Sequence, residues 1–267
     1  MPLKISNLLV IIWLTLSVFS CKKAEESSDE DFKLIPRNSY YTDNFNGIGV
    51  YRDSKSHELM DGYYVVGDKF QKWEEFEVKK GILNGDYLVF HSNGEIFSIG
   101  EYKDGKLHGK KKTYYLNGTL KTEASYAYGK LYGTKITYTE NGSVQTESKV
   151  KDEEVVESLT YDAIGEIQSQ MFIKNGRKIT QQVKAGKVYM ELISSTYDNF
   201  EAVKFYNEDG SLKAFVRMFE DGETSYLIEL DDNENEINRI DMKANPMEAQ
   251  KFMQSLQTFA ELEAPKI

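Results

Sequence analysis

The chain has 267 residues, a formal net charge of −10 and a single cysteine. An acidic surface repels phosphate backbones, and no Lys/Arg cluster provides a local exception, so nucleic acid is excluded as a natural partner. One cysteine leaves no internal disulfide framework and no paired-thiol redox centre.

The N-terminus begins with Lys4 and an apolar run from Leu8 to Leu16, followed by Ser17-Val18-Phe19-Ser20-Cys21. This is the layout of a secretory leader, and the apolar run is too short for a permanent membrane span. Small Ser20 directly before the cysteine, with Val18 two residues further back, resembles the lipobox of bacterial lipoproteins. That resemblance implies a leader over residues 1–20, a lipid on Cys21, and a location in the bacterial cell envelope, periplasmic or at the cell surface. Losing Lys4, the only charged residue among the first twenty, takes the charge from −10 to −11. The next residues, Lys22 to Asp31, are charged and almost free of apolar side chains. Such a stretch cannot bury enough surface to fold, so residues 21–39 are expected to be a flexible tether.

A repeat follows. Gly81-Ile82-Leu83-Asn84-Gly85, Gly105-Lys106-Leu107-His108-Gly109 and Gly129-Lys130-Leu131-Tyr132-Gly133 stand 24 residues apart, as do Asn93-Gly94, Asn117-Gly118 and Asn141-Gly142. Phe90, Tyr114 and Tyr138 keep the same step. Asn-Gly tolerates positive φ at both positions, which a type I′ hairpin turn needs, so each unit reads as strand, Asn-Gly turn, strand, and glycine-rich corner. Stacked units predict an all-β array of antiparallel hairpins, each packing mainly on its neighbours. Composition agrees, because no proline falls between residues 37 and 245 and all 19 glycines lie from Gly47 to Gly222.

The pattern is clearest over 81–150 and decays outward, as terminal units must cap the sheet. The corner one step beyond Gly129 and Gly133 has lost its glycines to Glu153 and Glu157. The array is expected over 40–242. Residues 243–267 read as a short amphipathic helix and tail, with Asn245 as cap, Pro246 first, and Ala249, Phe252, Met253, Leu256, Phe259 and Ala260 on one face. A helix there is expected to shield the unpaired backbone of the last edge strand.

The 24-residue copies resemble the bacterial variant of the MORN repeat, whose unit reads Gly-x-Leu-x-Gly, an aromatic, then Asn-Gly. The resemblance is clear over 76–150 and fainter to about 222. It implies the fold and, more loosely, a role as the antitoxin or immunity component of a toxin–antitoxin pair. An envelope scaffold is the alternative.

Chemistry is sparse. His91 and His108 lie beside turns at different phases and read as solvated, and His57 has no Cys partner for a zinc or thiol site. Gly47-Ile48-Gly49 reads as a turn, and Asp231-Asp232-Asn233-Glu234 lacks the glycine of a calcium loop. No metal, no cofactor and no catalytic residue is expected, although a carboxylate hydrolase built from region 150–240 is the competing class. What remains is surface, and since tyrosine is enriched in binding hot spots, Tyr115, Tyr128 and Tyr132 are the candidate partner-binding residues.

Overall fold

The computed structural model describes residues 32–263. They form a 19-stranded sheet and one helix. The strands are β1 (Lys33–Ile35), β2 (Tyr40–Phe45), β3 (Ile48–Asp53), β4 (Gly62–Gly67), β5 (Lys72–Lys79), β6 (Ile82–Phe90), β7 (Ile96–Lys103), β8 (Lys106–Tyr114), β9 (Leu120–Ala127) and β10 (Lys130–Tyr138). Then come β11 (Val144–Lys151), β12 (Glu154–Tyr161), β13 (Ile167–Lys174), β14 (Arg177–Lys184), β15 (Lys187–Ser195), β16 (Glu201–Tyr206), β17 (Leu212–Asp221), β18 (Thr224–Leu230), β19 (Glu236–Asp241) and the helix α1 (Pro246–Glu263). From β4 to β19 each strand pairs antiparallel with the next, so the expected all-β meander of hairpins is what the chain forms.

One boundary needs correction. The end of the expected tether is ordered, since Lys33, Leu34 and Ile35 pair in parallel with Tyr64, Val65 and Val66 of β4. Apolar Leu34 and Ile35 suit a strand in a way that the acidic residues before them do not. Cys21 and the segment expected to be a leader lie outside the described residues.

The two turn types are exchanged relative to expectation. The tight two-residue turns are at the corners, where Asp104-Gly105 and Tyr128-Gly129 have positive φ at both residues. Lys103 pairs with Lys106 and Ala127 with Lys130 around them, which is the I′ geometry. Around Asn-Gly only the glycine has positive φ, 89° at Gly94 and 81° at Gly118. Gly94 N–H donates to the His91 carbonyl and His91 N–H to that of Glu95, which makes a three-residue loop with a bulge. The asparagine is needed for its side chain rather than for its backbone. Asn93 Oδ1 accepts from Glu95 N–H, and its amide donates to the Leu116 carbonyl of the next unit at 3.0 Å. Asn117 repeats both contacts, to Thr119 and Glu140. The corners are linked likewise, Gly105 N–H to the Leu83 carbonyl at 2.9 Å and Gly129 N–H to that of Leu107 at 2.7 Å.

Both ends of the sheet are covered on the same face. Directly opposed residues of paired strands share a face, and so do residues i and i+2 along one strand. At the N-terminal end Tyr64, Phe76 and Tyr87 are opposed, and the β2–β3 hairpin lays Tyr40 and Tyr51 across Phe76, which is fully buried. At the other end α1 packs Ala249, Phe252, Leu256 and Phe259 on Phe205, Ala214, Val216, Leu227 and Ile240. The helix therefore covers the face of β16–β19, not the backbone edge of β19 as expected. Its apolar stripe is drawn to side chains, whereas a strand edge offers only polar groups.

Candidate functional site: the face between the caps

Tracing opposed residues across the sheet puts one row on the capped face. It runs Ser98, Thr113, Thr122, Thr137, Thr146, Thr160 and Ser169, a hydroxyl on each of seven consecutive strands. The Thr113 and Thr122 hydroxyls bond each other at 2.6 Å. Threonine suits strands and such cross-strand pairs stabilise them, so the row has a structural reason to exist.

A second row on this face holds Gly100, Lys111, Ala124, Lys135, Ser148, Ser158 and Met171. Ala124 is only 6% exposed although neither cap packs on it. Lys111 and Lys135 stand directly on either side of it and are half-buried, the burial expected of long alkyl stems beside an apolar position. From β8 to β14 the strand positions of this face carry Lys111, Lys135, Lys178 and, at the end of β14, Lys184, and no carboxylate. The opposite face of the same strands is different. There Glu123 takes Lys110 and Lys112, and Glu157 takes Lys149, and the Lys110 ammonium holds the Glu123 carboxyl below its ordinary range.

Towards α1 the same face becomes an apolar groove of 610 Å³. Its floor is Val203, Phe205 and Val216, the helix contributes Met253 and Leu256, and Lys178 and Glu201 stand at the rim. Leu192, Met218 and Met253 are 43%, 52% and 42% exposed. Large apolar side chains gathered in a concave surface are the ordinary signature of a binding site, and methionine adapts to irregular partners.

The tyrosines singled out from sequence do not form one site. Tyr115 is half-buried, its hydroxyl donates to the Tyr138 carbonyl at 2.8 Å and Lys121 lies over its ring, so it ties one hairpin to the next. Tyr128 and Tyr132 are 54% and 49% exposed, at the corner end of β9 and β10. The eight residues of β9 separate them from the Tyr115 turn by about 26 Å. The histidines, expected to be solvated, are packed instead. His108 lies on the Tyr128 ring with centroids 4.6 Å apart, and His91 bonds the Tyr114 carbonyl and meets the Phe97 ring edge-on.

One further cluster could hold chemistry. Glu74 accepts from Tyr40 and Tyr87 at 2.8 Å each, under the β2–β3 hairpin. Burial, then Tyr102 and Glu74, pushes the neighbouring Tyr51 hydroxyl up to about 12, so these phenols stay protonated and act as donors. Among the described residues no group of three or more His, Cys, Asp or Glu side chains is placed to hold a metal ion.

The repeat can now be placed among known ones. Residues 83–104 and 107–128 match the MORN repeat variant. Both MORN-variant units begin on the leucine of the glycine-rich corner and run to just short of the next such leucine. The unit that follows keeps the architecture, with Tyr128-Gly129 at its corner and Gly142 at φ 89° in its loop. No curated protein matches the chain. Lys111 and Lys135, missed in reading the sequence, are themselves 24 residues apart and so were visible in the repeat phase. The groove gave no such signal, because its apolar lining is shared among β15, β16, β17, β18 and α1, none of which contributes more than three side chains.

Proposed function

We propose that the chain is a lipid-anchored, extracytoplasmic protein-binding module that presents the capped face to its partner and catalyses nothing itself. The observation that carries this reading is the apolar groove, with Leu192, Met218 and Met253 exposed beside α1. MORN-type repeats serve generally as protein- or membrane-binding modules, and the bacterial variant's resemblance to immunity components makes a toxin the partner class we favour. The anchor rests on the leader and on Cys21. Cys21→Ser should release the protein from membranes, and detergent-phase partitioning unchanged in that variant would remove the lipid. For the binding face, a photo-crosslinking residue at Met218 should join a discrete protein in the protein's own cells, whereas one at Glu157 on the opposite face should not. Equal adducts from both positions, or none from Met218 together with turnover of a glycan or peptide, would refute the reading.

A further inference from the structure

The capped face has a charge of its own. Over seven strands, β8 to β14, its strand positions carry four lysines, Lys111, Lys135, Lys178 and Lys184 at the end of β14, and no acid, in a chain whose net charge is −10. Lys111, Lys135 and Lys178 form no ion pair among the described residues, while the cations Lys110, Lys112 and Lys149 on the other face are each matched to a glutamate. Lys111 and Lys135 sit two strands apart, about 9.6 Å at the usual strand spacing, with the hydroxyls of Thr113 and Thr137 one pleat away on the same face. Eight strands, β8 to β15, lie between the two caps, a length of about 34 Å along the sheet. The apolar groove closes the helix end of that track.

We propose that the partner segment docked on this face is an acidic polypeptide. Its carboxylates meet Lys111, Lys135 and Lys178 and accept from the threonine row, and an apolar side chain at one end enters the groove at Leu192, Met218 and Met253. This rests on the reading of the capped face as the binding surface. Complementary charge holds the segment on the lysine face and sets its register and encounter rate, and the apolar anchor adds affinity at the groove end. The chain's overall acidity works with this, because a net charge of −10 disfavours an acidic partner wherever carboxylates gather and favours the stretch of this face that has none.

The test uses the full mature protein and a short poly-L-glutamate peptide as probe, with poly-L-lysine and phosphatidylglycerol vesicles in parallel. Poly-L-glutamate should bind, shift the backbone amides of Thr122, Ala124, Thr137 and Ser148, and weaken as salt is raised. Lys111→Gln with Lys135→Gln should weaken it about tenfold or more, and Lys149→Gln on the opposite face should change it less than about twofold. These are surface substitutions, and an unchanged thermal midpoint confirms that both variants fold. Absence of poly-L-glutamate binding, or equal losses from both variants, overturns the proposal. So does an inert peptide while vesicles or a second copy of the chain bind through the same lysines. A protein crosslinked at Met218 whose contact segment is not acidic would overturn this inference and leave the binding role standing. Peptide binding at the lysines without any Met218 adduct would instead remove the groove from the account.

Discussion

The corner between β11 and β12 is where the fold asks for glycine and lacks it. Asp152 and Glu153 have φ of 51° and 68°, in the position where the two preceding corners have Asp104-Gly105 and Tyr128-Gly129. Left-handed backbone costs an L-residue about 1–2 kcal/mol, and glycine gives back about 0.5–1 kcal/mol through its greater freedom when unfolded. The side chain of Glu153 reaches Lys130 at 3.6 Å, but both are largely exposed, which leaves a few tenths of a kcal/mol at most. Glu153→Gly should therefore stabilise the protein by about 0.5–1 kcal/mol, seen in urea as a midpoint raised by about 0.2–0.5 M with the slope unchanged. Gly129→Glu is its mirror, because a Cβ at Gly129 meets nothing within 4 Å and strain is the whole effect. It should lower stability by the same amount. Gly105→Glu should be worse by a further ~1–3 kcal/mol, since its Cβ would stand 2.5 Å from Ile48 Cγ2 and 3.2 Å from Ile82 Cγ2. A destabilising Glu153→Gly, or a neutral Gly129→Glu, would refute the reasoning.

Asn117→Ala removes a cap on Thr119 N–H and a bond to the Glu140 carbonyl, and should cost about 1–2 kcal/mol in the same titration, whereas a purely backbone role for Asn-Gly predicts almost nothing. Tyr115→Phe should cost about 1 kcal/mol by freeing the Tyr138 carbonyl and leave partner capture intact; loss of capture without loss of stability would return Tyr115 to the binding surface. Alkaline pH should act through the N-terminal tyrosines. Tyr51 titrates near 12 when folded and near 10 when unfolded, so the folded state retains its proton longer and stability, full below pH 10, should fall as pH rises through 12. Stability that declines already at pH 8, ahead of tyrosinate absorbance, would assign the loss elsewhere.

Much of this was legible because a repeat states the same constraint three times. The 24-residue register placed every strand from β6 to β11, and Pro246 with its spaced apolar residues placed the helix. The turn chemistry was misread for a reason that lies in loop length. Asn-Gly satisfies both the two-residue and the three-residue hairpin, and only the number of residues left between Phe90 and Ile96 separates them. The tyrosines misled because composition tells which side chains are sticky but not which are already spent, as the hydroxyl of Tyr115 is on Tyr138. The lysine row carried a period and was overlooked beside the aromatics.

The cross-links along the two margins of the array have an elastic consequence. Asn93 and Asn117 tie successive loops together on one side, and Gly105 and Gly129 tie successive corners on the other. Asn141, third in line, spends its side chain within its own loop on Ser143 and Thr139, and Glu153 stands where the next corner glycine would be. A ribbon stitched along both hems resists bending over the stitched length and flexes beyond it. The next stitches are Thr196, whose amide and hydroxyl both donate to the Gly176 carbonyl, and Lys187, which donates to that of Glu208, so the compliant part of this sheet runs from about β11 to β13. The stiff block stays with the N-terminal end of the chain, and the groove rides on a spring.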